Sequence, residues 1–243
     1  MYHHTWFQRA KEVLEEVFRA EESRIAEGGG ILADTLAGGG LIYAFGSGHS
    51  HMMAEELFYR AGGLAAVCPI LEPEIMLHTG AVKSSLVERT GEYARCVLSR
   101  YPIGEKDCLV VISNSGINPL PIEVARIARE RGAKVIGLSS ACYQANPSRH
   151  PEGLHLPDVV DLFIDNHVPM GDALVTISEA GETAGPVSTM VGAALVNSLA
   201  LDACQLLQER GIEPQVFRSS NCPGPEDHNL RLAAEYSPRV RAL

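Results

Sequence analysis

A chain of 243 residues with 46% hydrophobic side chains can bury one sizeable core, and nothing in its length demands a second one. Thirty acidic residues against 20 Lys and Arg leave a formal charge of -10, which excludes the basic face a nucleic-acid partner would need. No segment reaches the roughly 18 uninterrupted apolar residues of a membrane span, and the first residues read as a polar helix without a signal-peptide h-region, so a soluble, cytoplasmic protein with no membrane partner is expected.

From Thr5 to about Ala26, Phe7, Val13, Leu14, Val17, Phe18 and Ile25 recur at helical spacing among charged residues, predicting an amphipathic helix stopped by Gly28 to Gly30. A shorter helical piece, Ile31 to Leu36, comes next, and Gly38 to Gly40 leads into a strand at Leu41. Residues 1–37 are thus read as a helical arm packing on the rest of the chain or on a second subunit, and 38–243 as one α/β domain with C-terminal helices. Next come a helix from His51 to about Ala61, a strand within Leu64 to Pro69, an irregular polar stretch from Glu72 to Ser85, and a helix from Leu86 to Leu98. The clearest βαβ pattern is the strand Cys108 to Ile112, the helix Pro121 to Arg131 and the strand Lys134 to Leu138. A polar loop from Ser139 to Pro157, a buried strand Val160 to Ile164, a short edge strand Ala173 to Ile177 and a long apolar helix Ser188 to Arg210 complete the middle. A loop with Cys222-Pro-Gly-Pro225 then enters a last helix near Glu226 to Tyr236. The alternation implies a three-layer α-β-α sandwich with a mainly parallel, doubly wound sheet. The six cysteines (Cys68, Cys96, Cys108, Cys142, Cys204 and Cys222) show no CxxC spacing, and several lie in apolar runs, as reduced thiols acting as small hydrophobes do.

Two strand ends carry the functional signal. Leu41-Ile-Tyr-Ala-Phe runs into Gly46-Ser-Gly-His-Ser50, and Leu109-Val-Val-Ile runs into Ser113-Asn-Ser-Gly-Ile-Asn118. The first is no dinucleotide fingerprint, because position 51 is His51 instead of glycine, and no Gly-Lys-Ser/Thr comes after it to make a P-loop. Small hydroxyl and amide side chains at a strand's C-terminal end, ahead of a helix N-terminus, offer neutral donors that hold an anion without a permanent cation.

The pair, strand-GxGxS-helix and then strand-SxSGxx-helix, resembles the sugar isomerase (SIS) family of phosphosugar-binding domains over about the whole chain. Within that family Asp165-Asn-His-Val-Pro-Met-Gly-Asp172 and Asn221-Cys-Pro-Gly-Pro-Glu-Asp-His-Asn229 are most similar to stand-alone, uncharacterised bacterial members. Phosphoheptose isomerase, N-acetylmuramic acid 6-phosphate etherase and the isomerase half of glucosamine-6-phosphate synthase are more distant. The resemblance implies a flavodoxin- or Rossmann-like sheet and a sugar phosphate held by Ser113, Asn114 and Ser115, with Asn118 where the relatives carry Thr. It further implies binding roles for Ser47, His49 and Ser50 in the first loop, His49 replacing a Thr of several relatives, and for Ser188 at the start of the long helix.

Isomerisation of an aldose phosphate and elimination of a sugar ether both begin by removing a proton next to a carbonyl, which requires a base. Glu55 and Glu56 are the candidate carboxylates; neighbours on a helix point about 100° apart, so at most one faces the site while the other is a solvated helix residue. His228, entering the last helix, is a candidate acid or base in its own or a partner's pocket, against the plainer reading of a surface His beside a capping Asp227. No cofactor is required. Zinc enters by resemblance to phosphoheptose isomerases, through His51 and Glu55 at i and i+4, with His49, His167 or His228 as the imidazoles left to complete a site; an exposed helix pair is the plainer reading. Asp165, His167 and Asp172 crowd one loop after a strand, where turn chemistry also accounts for them. The leading expectation is an aldose-ketose phosphosugar isomerase; a muramic acid 6-phosphate type etherase or lyase and a non-catalytic phosphosugar sensor acting on a protein partner are the alternatives. A homodimer or homotetramer with sites near subunit interfaces is expected.

Overall fold

In the computed structural model, which describes residues 1–222 and 227–243, five strands form one parallel sheet in the order β2-β1-β3-β4-β5. They are β1 (Ile42–Gly46), β2 (Val67–Pro69), β3 (Cys108–Ile112), β4 (Lys134–Ser139) and β5 (Leu162–Asp165). The strands are continuous apolar runs because both faces of the sheet are covered. Ile42, Ala44, Val110, Ile112, Ile136 and Leu138 point into one core, while Tyr43, Phe45, Leu109, Val111 and Val135 point into the other. α2 (Glu22–Ala37), α3 (His51–Leu57) and α7 (Ser188–Glu209) supply the first core, and α5 (Tyr93–Leu98) and α6 (Pro119–Glu130) the second. The three-layer α/β reading therefore holds. Burial pushes the Cys68 thiol up to about 11 and raises that of Cys108 as well, so these two are core hydrophobes and not nucleophiles.

The N-terminal helices divide elsewhere than expected. α1 (Tyr2–Ala20) ends at Glu21, whose buried carboxylate reaches Arg24, 2.9 Å away, and His167 Nε2, 3.1 Å away beyond the end of β5. Gly28 to Gly30 do not stop a helix; they lie inside α2, where α7 crosses. A β-carbon on Gly28 would stand 2.6 Å from Leu199 Cδ2, and one on Gly29 would overlap Asp202 Cβ. Glycine here permits close helix approach, and through Ile25, Leu32 and Ala33 the N-terminal helices share a core with the sheet.

Other boundaries shift for local reasons. The helix expected from Leu86 to Leu98 is two, α4 (Ala81–Val87) and α5, separated by a turn at Glu88 to Glu92. α3 ends at Leu57, and Leu64 precedes β2 as an isolated bridge to Val216. The strand at Ala173 is not an edge of the main sheet: β6 (Ala173–Thr176) pairs antiparallel with β7 (Thr183–Pro186) in a separate hairpin. α7 is long and apolar enough to cross a membrane by length and composition, and here its Val191, Leu195, Val196, Leu199 and Ala203 are buried in the core. The last helix, α8, runs His228–Tyr236; the turn at Pro223 to Pro225 and the helix start at Glu226 lie outside the described residues.

Gly29→Ala reverses an ordinary sign. Alanine inside a helix gains about 1 kcal/mol over glycine, but overlap with Asp202 costs about 1–3 kcal/mol by overpacking, so the variant is expected to melt a few degrees lower in a calorimetric scan. A higher melting temperature would show that α2 and α7 can move apart at no cost.

Candidate functional site

β1 lies between β2 and β3, and the helix after β1 packs on one face of the sheet while the helix after β3 packs on the other. The loops leaving β1 and β3 therefore diverge and leave a crevice at the C-terminal edge, where open α/β sheets bind ligands. The first loop turns back tightly: a β-carbon on Gly46 would lie 2.8 Å from His51 N and closer still to the Ser50 carbonyl, so only glycine fits there.

The second loop is braced from outside. The Asn114 carbonyl accepts from Ser140 N at 2.8 Å, its amide Oδ1 accepts from Asn166 Nδ2 at 2.9 Å, and the Gly116 carbonyl accepts from Leu156 N at 2.8 Å. The buried Ser113 hydroxyl accepts from Gly116 N at 3.3 Å. Among the described residues, no acceptor is bonded to the backbone N–H groups of Asn114, Ser115, Ile117 or Asn118. Four free donors stand ahead of the N-terminus of α6, the composition of an anion cradle.

Below the crevice, a narrow cleft lies between these loops and the first turns of α7, lined by His49, Ser50, Asn114, Asn166 and Ser188 over an apolar floor. It holds only about 20 Å³, room for a water molecule, so any larger ligand must lie across its mouth. Ser188 is positioned by Asp172, whose carboxylate accepts from Val187 N at 3.0 Å, Ser188 N at 2.7 Å and Ser188 Oγ at 2.6 Å. Asp172 thus caps α7 from a distance, and does so in a left-handed conformation with φ 64°.

The two helix carboxylates part company. Glu56 turns to α7, accepting from Asn197 Nδ2 at 2.8 Å and pairing with Arg60. Glu55 is half exposed on the other face, 3.7 Å from His51 Nε2. His51 is buried with Nδ1 against the Gly48 carbonyl, and His78 stacks edge-on beside it. Among the described residues, no group of three or more His, Cys, Asp or Glu side chains converges so as to hold a metal; His51 and Glu55 remain a pair, and the residues present do not fit a zinc site. His228 Nε2 donates to the Val216 carbonyl, 2.9 Å away, and Val216 pairs with Leu64 at the opposite, N-terminal edge of the sheet, so within one chain His228 is remote from the loops. Asp227 pairs with Arg231 and makes no side-chain cap.

Three residues at the site escape sequence reasoning. Glu88, in the turn after α4, accepts from Ser47 Oγ at 2.6 Å and so brings a carboxylate onto the first loop from 41 positions away. Arg149 donates through Nη1 to Asn118 Oδ1 at 2.7 Å, adding a cation to a loop expected to rely on neutral donors. Asn166 lies inside a motif that the sequence displays, but only the fold shows that it holds Asn114.

Comparison with known proteins bears on this geometry. A model of the SIS domain matches residues 5–140. The chain is similar to a UPF0309 protein of Halalkalibacterium halodurans, 41% identical over 98% of this chain and 96% of the relative, and to one of Geobacillus thermodenitrificans, 42% identical with the same coverage. Among solved structures it is similar to phosphoheptose isomerase GmhA from Neisseria gonorrhoeae (TM-score 0.54, 15% identity, 82% of this chain and 95% of that one). It also resembles the Vibrio vulnificus NanR protein complexed with ManNAc-6P (TM-score 0.55, 17% identity, 98% of this chain and 69% of that one).

Replacing Asp172 by Ala removes the acceptor of two N–H groups at the start of α7. A loss of about 1–3 kcal/mol is expected in urea unfolding, with Asp172→Asn losing less; an unchanged midpoint would show that water caps α7 as well.

Proposed function

This chain belongs to the SIS domain family, in its stand-alone UPF0309 group, and from that premise we propose that it is a cytoplasmic phosphosugar enzyme, an aldose-ketose isomerase acting by proton abstraction next to the carbonyl. The observation that carries the ligand class is the set of unbonded N–H groups from Asn114 to Asn118 before α6. A phosphate there receives backbone donors, the Ser115 hydroxyl and the positive end of the helix, with Arg149 one residue contact away. The names of two structural neighbours, a phosphoheptose isomerase and a protein in complex with ManNAc-6P, fit the same ligand class.

With phosphate in the second loop, the sugar chain extends toward the first loop, where His49, Ser50 and, across the cleft, Ser188 meet its hydroxyls, while the Ser47 hydroxyl is bonded to Glu88. Two carboxylates flank that loop. The Glu88 carboxylate accepts from the Ser47 hydroxyl, and Glu55 stands next to His51. We assign the proton abstraction to Glu88, which takes the proton from the carbon beside the carbonyl and returns it to the neighbouring carbon, with Glu55 as the second carboxylate. The carbonyl oxygen takes its proton from a histidine, His51 or His49, in exchange for that of the adjacent hydroxyl. Glu56, engaged by Asn197, and His228, at the far edge of the same chain, have no part in this assignment unless a second subunit brings His228 across. An etherase would share the first step and differ in what the carbanion expels. The proposed assembly is a homodimer that includes α1, on which Phe7 (59%) and Phe18 (39%) are exposed; Phe7→Asp with Phe18→Asp is expected to halve the mass seen by light scattering, and unchanged mass would place the interface elsewhere.

The deciding experiment is proton NMR in deuterated water with hexose, amino-sugar, N-acetylated, muramic and heptose phosphates. Deuterium should appear beside the carbonyl of at least one of them, fall by about 100-fold or more in Glu88→Gln, and persist in Glu56→Gln. Loss in Glu55→Gln with retention in Glu88→Gln would exchange the two roles, and saturable binding without exchange across the panel would replace the enzyme with a sensor.

A further inference from the structure

A second cavity, of about 460 Å³, opens on the outer side of α6 between α5 and the segment at 149–152. Its size is that of a small-molecule site. Four arginines line it: Arg126 is paired with Glu123 and Glu130, and Arg89, Arg95 and Arg149 have no carboxylate within salt-bridge distance among the described residues. Arg89 and Arg95 make no side-chain hydrogen bond there either, and Arg149 touches only the neutral Asn118 amide. On a chain of formal charge -10, where most arginines are paired, three uncommitted ones around one hollow form a local positive site.

The acidic groups of the cavity do not cancel it. Glu123 in its wall is already bound, 2.7 Å from Arg126 and 2.8 Å from the buried His150. Burial works to raise its carboxyl, and the hydrogen bonds from Arg126 and His150 overcome that and hold it below its ordinary value. Glu92 and Glu152 lie at the exposed rim. The floor is firm: Pro119 and Glu123 pack against Gly91, where a β-carbon would stand 3.1 Å from Glu123 Cγ.

We propose that this cavity is a second anion site, distinct from the loop at Ser113 to Asn118, that takes a small organic polyanion with two anionic groups far enough apart to engage Arg95 and Arg89 or Arg149. Phosphate and carboxylate share the chemistry a guanidinium fork recognises, and the two sources separate in a titration. Because Arg149 donates to Asn118, a ligand that draws Arg149 into the cavity changes the end of the first anion loop, so the second site is placed to tune the first.

The test is isothermal titration calorimetry of the full chain at low ionic strength with pyrophosphate and, separately, with citrate. Binding of either is expected, with a component weakened about 10-fold or more in the double variant Arg89→Gln with Arg95→Gln and retained in Ser115→Ala, which alters only the loop's own component. Both variants must match the parent in far-ultraviolet circular dichroism; should the double variant fail to, Arg95→Lys takes its place, with a weakening confined to bidentate anions expected. A stronger response to pyrophosphate than to citrate assigns the ligand to phosphates and the reverse to carboxylates. The proposal is overturned if neither anion binds at about 10 mM, or if binding survives in the double variant and falls in Ser115→Ala, which would make the loop the only anion site. None of these readings uses turnover of a phosphosugar, so the cavity stands or falls separately from the isomerase assignment.

Discussion

The pairing of β1 with β3 is the constraint on which the site depends. Their parallel register sets Gly46 beside Ile112, so both strands run out at one level and both loops begin there. Each strand is buried on two faces, and a slip of one residue would send Tyr43 and Phe45 into the core built for Ile42 and Ala44. The register is thus held by packing along the whole strand, and the loops inherit that precision without stabilising it themselves. The helices after the two loops take opposite faces, which keeps the crevice between the loops open.

Holding an anion on an acidic protein then becomes a problem of local design. The field of the whole chain repels a phosphate, so attraction must come from groups within hydrogen-bond reach. Unbonded N–H groups in a loop provide it at low cost, because their carbonyl partners are spent on bracing: Asn114 on Ser140, Gly116 on Leu156 and Ile117 on Arg149. The same bracing spares the loop from reorganising when a ligand arrives. The Glu88 carboxylate, in the turn after α4, is tied to the neighbouring loop by its bond from the Ser47 hydroxyl at 2.6 Å.

How much of this is legible in the sequence depends on the range of the interactions. Parallel strands covered on both faces leave short apolar runs ended by Gly, Ser and Asn, so the two strand-loop-helix units and the long helix at Ser188 can be read from local pattern. Gly28 to Gly30 mislead because a glycine that breaks a helix and one that lets another helix approach look alike until Leu199 and Asp202 are placed beside them. The break at Glu21 carries no turn signal; it is set by a tertiary partner, His167. The likeness of Glu55 and Glu56 in sequence dissolves once Asn197 claims one of them, and Glu88 and Arg149 belong to loops whose return to the sheet edge no spacing announces.

The Asp165 to Asp172 segment shows where recognition without geometry falls short. Its polar residues invite assignment to chemistry, yet each is bonded to a wall of the site. Asp165 holds Ala141 N at 3.0 Å and His167 N at 2.9 Å, Asn166 holds Asn114, and Asp172 holds the start of α7 with Ser188. Three walls that come from distant parts of the chain are thereby set from one loop. His167 and Asp172 both take left-handed backbone conformations to do this, at φ 49° and 64°, in positions where glycine would be the relaxed choice. Glycine has no side chain to offer Glu21 or α7, so the strain is accepted for the contact, and the segment acts by fixing the positions of groups that line the cleft.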